Sequence, residues 1–256
     1  MTPELAPLPP PSPPPPYHSA HKRARVVIVL LWIGMAVHAI SIPVDLVSLV
    51  LPQVDPNQEP GENLGGLLAL MLQGVLGLLI LAVYIATVVF FLMWLHRCCT
   101  NLRAFGINRR LISHSPGWAV GSFFVPFANL VVPYRAVKEL WQKSEIGTEE
   151  SLFSSSISPP GFFPAWWGFW LAANFAGNIY FRLSMAEAPR EAVTVVSIVA
   201  DVLSIVAAYL AIMVVRDIDR RQEESARRLP GSQSGPLPPP PPVFEPSGSP
   251  AYYPSP

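Results

Sequence analysis

From Leu64 to Leu95 the chain runs for 32 residues without one charged side chain. A helix of that length extends about 48 Å, well beyond the roughly 30 Å hydrocarbon core of a bilayer. The run therefore reads as a transmembrane helix whose end projects into water, with Trp94 as an interfacial anchor. Comparable apolar runs cover Val26–Leu51, about 164–185 and 192–215. Only 13% of the 256 residues are charged and 51% are hydrophobic, whereas roughly a quarter of a soluble domain is charged. The expected class is an all-α membrane protein.

The first run follows His21-Lys22-Arg23-Ala24-Arg25 and is 26 residues long. A secretory signal has an apolar region of about 7–15 residues, so a retained helix is expected. Residues 1–24 and 217–256 hold most of the 31 prolines. Both read as disordered tails around a helical membrane domain at 25–216, the second beginning as a charged helix end. A solvated tail is the plainer reading, and docking of an unidentified protein partner the sharper one. The formal net charge is zero, and no nucleic-acid partner is expected.

Residues 117–134 are apolar enough for another span, but Pro126, Asn129 and Pro133 interrupt them. A broken backbone at membrane depth must be buried in protein or line a wet cavity. Basic residues supply a second argument, because Lys and Arg accumulate on cytoplasmic loops. With four crossings (26–51, 64–95, 164–185, 192–215) both termini and 96–160 lie inside. All of the 17 basic residues except Arg182 and Arg190 are then cytoplasmic. A fifth crossing at 117–134 would leave only nine inside. The expected architecture is thus four transmembrane helices plus a broken re-entrant or interfacial element at about 115–144, on the cytoplasmic side. The basic, aromatic piece 134–144 (Tyr134, Arg135, Lys138, Trp141, Lys143) suits a helix lying on anionic lipid headgroups, or one that seals the cytoplasmic face.

Polar groups inside spans are costly and informative. Asp201 lies deep in the last run. Asn174, Asn178 and Arg182 follow one helical face, and Asp45 and Arg182 sit near outer ends. They read either as a seam for a proton, ion or small solute, or as hydrogen bonds and one ion pair holding helices in register. His38 is a mid-span packing or hydrogen-bonding residue. Cys98 and Cys99 adjoin Arg97, which could lower a thiol pKa, yet no partnered base is evident. No catalytic string and no ligand cluster occur, so neither enzyme activity, metal nor cofactor is expected.

The stretch 94–141 carries a denser pattern. W-x-x-R-x-x-x-N-L-R-x-x-G is formed by Trp94, Arg97, Asn101, Leu102, Arg103 and Gly106. S-P-G-W-A-V-G follows, with Ser115, Pro116, Gly117 and Trp118. F-V-P-x-x-N-L-x-x-P-Y-R-A-x-x-E-L-W then uses Phe124, Pro126, Asn129, Pro133, Tyr134, Arg135, Glu139 and Trp141. This pattern resembles the bacterial domain-of-unknown-function 4328 family. The likeness covers about fifty residues and leaves out the tails. It implies a bacterial integral (inner) membrane protein tied to envelope physiology, with no activity, substrate or catalytic residue attached. Ser122-Phe123 departs from the bulkier aromatics expected there. The function expected is a non-enzymatic scaffold or regulator that engages lipid or protein partners through this element and the tails. The alternative is a small transporter or channel built around Asp201.

Overall fold

The computed structural model describes residues 15–51, 64–145 and 158–229, and those residues are helical with no strand. Six α-helices follow in order: α1 (His21–Val50), α2 (Leu64–Ala104), α3 (Pro116–Gly121), α4 (Val132–Lys143), α5 (Phe162–Met185) and α6 (Arg190–Arg227). Two 3-10 turns, Arg109–Leu111 and Ala128–Leu130, sit in the connections. Helix α1 packs against α2 and α6, and α6 against α5. The Pro-rich tails, the loop at 52–63 and most of the serine-rich loop at 151–160 lie outside the described residues.

Among the described residues three helices, α1, α2 and α6, are long and apolar enough to cross a membrane, where four were expected. The 24-residue α5 has the length but not the composition. Its amides (Asn174, Asn178), Arg182 and indoles lower its mean hydropathy.

Burial is lopsided. The buried core joins Ala24 and Val27 of α1, Trp94, Leu95 and Leu102 of α2, Leu140 and Trp141 of α4, Phe163 and Trp166 of α5, and Val215 and Ile218 of α6. All of these lie at the end where basic residues cluster. Toward the opposite end the helices expose Ile40, Val47, Leu68, Val75, Phe175, Phe181 and Val195. A protein that buries its apolar surface at one end and exposes it along the shafts is matched to an apolar solvent there.

Chain entry and exit fix a further point. Helix α2 ends and α5 begins at the same basic end, since Phe91 packs on Trp166 (5 residues into α5) with centroids 6.1 Å apart. Trp141 packs on Phe163 at 5.6 Å. Among the described residues between them, 105–145 and 158–161, no helix is long enough to span: α3 has 6 residues and α4 has 12, about 9 and 18 Å of helix.

Two boundaries and one role differ from expectation. Helix α1 begins at His21, inside the segment read as tail, because residues 17–20 dock on the bundle. Helix α6 runs on to Arg227, past the tail boundary at 217, because Ile218, Gln222, Ser225 and Ala226 are buried. Trp94 is fully buried rather than an interfacial anchor, since α1, α4 and α5 all converge on that level of α2.

Candidate functional site

The motif residues build a polar cluster that ties four segments together at the basic end. Helix α2 stops through a Schellman arrangement: the Ile107 amide donates to Leu102 O and the Gly106 amide to Arg103 O. Gly106 sits at φ +78°, a left-handed conformation that side chains with a Cβ resist. One turn earlier, buried Asn101 donates through Nδ2 to His18 O (3.0 Å) and to Gln222 Oε1 (3.2 Å), while its Oδ1 accepts from His18 N. Gln222, also buried, donates to Cys98 O (3.0 Å) and Ser144 Oγ (3.3 Å), and Ser225 Oγ donates to Ser144 O. The amide side chains thus link the N-terminal segment, α2, the end of α4 and α6. Tyr17 stacks on Phe105 and donates to Glu223, which fastens the same segment from outside; burial and Glu223 push its phenol up.

Helix α4 is the second tie. Ala136, Val137, Leu140 and Trp141 face the core, the spacing of one helical stripe. Its apolar face is therefore packed on protein. Trp141 Nε1 donates to Asp217 Oδ2 at 2.6 Å, and the Arg221 guanidinium lies 4.0 Å over the indole. Burial pushes the Asp217 carboxyl up, but Arg220, Trp141 and Arg221 outweigh it and hold the group below its ordinary value. Glu139 accepts from the Ser113 and His114 amides and pairs with His114 Nδ1 (2.6 Å) and Lys143. Its carboxyl too ends up lowered, the bonds overcoming burial. Lys143 also caps Leu111 O, so the loop before α3 is clamped onto α4.

Residues 115–131 complete the element. Ser115 caps α3 by accepting from the Trp118 amide, Pro116 occupies the first turn, and Gly117 is exposed. The chain then turns at Phe127, which has φ +63°, and re-enters helix with Pro133 in the first turn of α4. Asn129 lies in the intervening 3-10 turn, and its amide closes the turn on Val125 O. Ser122 is fully buried against Ala119 O, and Phe123 wedges edge-on between Phe91 of α2 and Trp167 and Trp170 of α5. Trp167 Nε1 donates to Leu130 O. The outward face carries Trp118, Phe124, Pro126, Phe127, Leu130 and Val131. Arg97 is half-buried on α2, Tyr134 half-buried and Arg135 exposed on α4.

In the apolar half the seam, one of the two readings of these polar residues, does not assemble among the described residues. Asp201 pairs with His38, Oδ1 to Nδ1 at 2.7 Å. Asp45 accepts from Gln73 Nε2 at 3.1 Å, beside Ser48. Asn174 bonds Trp170 O and Arg182 bonds Asn178, each exposed and within α5. Their i, i+4, i+8 stripe turns away from α6, so the Asp45–Arg182 ion pair and the continuous path both fail. Arg190 instead caps α1, donating to Leu51 O. One oxygen each of Asp45 and Asp201 is buried with no partner among the described residues.

Two expectations for chemistry shift as well. Burial pushes the Cys98 thiol well up, against a lowering pull from Arg23, and, with Glu139, the Cys99 thiol up to about 12, so the lowering expected from Arg97 does not occur. Such thiols are poor nucleophiles. Among the described residues no three His, Cys, Asp or Glu side chains converge as a metal would require. Gln73, Gln222, Ser144, Asp217 and His114 were not anticipated. Gln73 had a signal, being the lone amide in the uncharged run of α2; Gln222 sat in a charged stretch that reads as a solvated face.

A comparison with known families matches the description "Domain of unknown function (DUF4328)" over residues 68–220. No curated protein and no solved structure matches. The match spans more than half the chain and takes in every motif described above. The chain belongs to the DUF4328 family.

Proposed function

We propose that the protein is a multi-pass membrane scaffold or regulator without enzymatic activity. It crosses a bacterial inner membrane four times, with both termini and residues 96–160 in the cytoplasm. The observation that carries this reading is the return of the chain to the same end between α2 and α5, with 115–144 folded as a plug. Helix α5 serves as the fourth crossing: its 24 residues extend about 36 Å, and its indoles stand at the headgroup level. Phe124 and Phe127, exposed on the plug's outer face, enter the lipid beside α5, so the element is interfacial rather than spanning. Buried polar ties hold the cytoplasmic end as one platform, and the Pro-rich tails, which lie outside the described residues, are the segments offered to protein partners.

The test is topological. Dual-reporter fusions after Thr148 and after Arg221 should both report cytoplasm. An external signal at Thr148 would make 117–134 a true span and sink the four-crossing reading. A transporter or channel is the second reading, favoured by the His38–Asp201 pair and the unpartnered Asp201 oxygen in the apolar half.

A further inference from the structure

A groove of about 700 Å³ opens between the first turns of α1 and the last turns of α6. Its walls carry Arg25, Arg216, Arg220 and Arg227 against Asp219, Glu223 and Glu224, and its apolar floor is Ile28 and Val29. The carboxylates are already engaged. Asp219 pairs with His21 at 2.7 Å, Glu223 accepts from Tyr17 and Ser19, and Glu224 faces Arg220 at 3.6 Å. Arg25 and Arg216, both exposed, make no hydrogen bond or ion pair among the described residues. They are also boundary residues: Arg25 is the last charge of α1 before its apolar stretch, and Arg216 the first of α6 after it.

We infer that this groove is a binding site for an anionic phospholipid of the cytoplasmic leaflet. The headgroup phosphate lies between Arg25 and Arg216, and the acyl chains descend over Val29 along the outer faces of α1 and α6. A built feature of those faces fits this course. Trp32 is seven residues past Arg25 and Tyr209 seven before Arg216, so each aromatic shares its arginine's helical face about 10 Å deeper. Both are about half exposed, 48% and 50%. A free anion would need the cations but not the apolar floor, and a soluble anionic peptide would not match a groove open toward the hydrocarbon. Cationic groups near an anionic leaflet attract it by an amount equal to about fivefold in affinity per arginine. The inference rests on the proposed placement of this end at the cytoplasmic interface.

Native mass spectrometry of the full chain in detergent, titrated with dioleoylphosphatidylglycerol or dioleoylphosphatidylcholine, tests it. The anionic lipid should be retained at least about tenfold better. Arg25→Gln with Arg216→Gln should remove that preference, and Arg25→Lys with Arg216→Lys should keep most of it, which guards against misfolding as the cause. Arg109→Gln with Arg110→Gln, an equal charge loss on an exposed turn elsewhere, should leave it intact. Equal effects of the two glutamine pairs would mean diffuse attraction and overturn the site. So would displacement of the lipid by millimolar inorganic phosphate, which would mark a free-anion site. Because selectivity in detergent does not depend on orientation, its failure is distinct from a failure of the topology fusions.

Discussion

Two buried tryptophans isolate the worth of a single bond. Trp94 and Trp141 are both almost fully buried, but only Trp141 has a partner for its indole N–H, the Asp217 carboxylate at 2.6 Å. Replacement by Phe removes comparable volume at each position, so cavity costs nearly cancel in the comparison. Trp141→Phe additionally removes one bond from an ionised acceptor that keeps Arg220 and Arg221, and bonds to charged groups contribute about 1.5–3 kcal/mol. The midpoint of thermal unfolding should therefore fall further for Trp141→Phe than for Trp94→Phe by that increment. Equal losses would show that the indole bond adds nothing. Gly106 offers a backbone counterpart. At φ +78° with open space around the missing Cβ, Gly106→Ala meets no steric clash with neighbours. Only conformational strain remains, about 1–2 kcal/mol, readable in the same unfolding measurement.

At the scale of the element, α4 and the loop before it stand or fall with Glu139. The group accepts two backbone amides and two side chains at once, and its folded pKa is lowered. A lowered carboxyl contributes stability fully above the ordinary glutamate value of about 4.3, and loses it as pH falls through the folded value. Glu139→Gln should cost about 2 kcal/mol near pH 7, and the gap between variant and parent should close below about pH 4. A gap unchanged at low pH would mean that Glu139 acts through packing alone. The sequence disclosed this element's break points and its motif glutamate, because Pro, Asn and Gly constrain the backbone locally. It did not disclose that the amphipathic face of α4 turns inward. Amphipathicity gives a face, not the medium that face meets, and Trp141 beside lysines reads equally well on lipid or on protein. The same ambiguity hid the course of α6, whose charged end buries Gln222 among residues that looked solvated.

For the molecule as a whole, the question is whether the apolar half holds a path or a fastening. Length and charge made the long helices readable, since an uncharged run of that length is long and apolar enough to cross a bilayer. Pairing between helices was not readable, because depth along a helix says nothing about rotation about its axis. Asn174 and Asp201 share a depth yet face different ways, whereas His38, about 20 Å beyond Arg25, meets Asp201 directly. A fastening predicts that Asp201→Asn, which keeps an oxygen to bond His38, lowers unfolding stability by about 1–2 kcal/mol and changes nothing else. A path predicts the reverse emphasis: normal assembly with lost or pH-shifted proton flux. Purified protein in liposomes with a trapped pH dye, parent beside Asp201→Asn, separates these outcomes. No proton flux by the parent above that of empty liposomes, with a stability loss in the variant, is the expected result. A parental flux that the variant abolishes would make His38–Asp201 a proton site and replace the scaffold reading with transport.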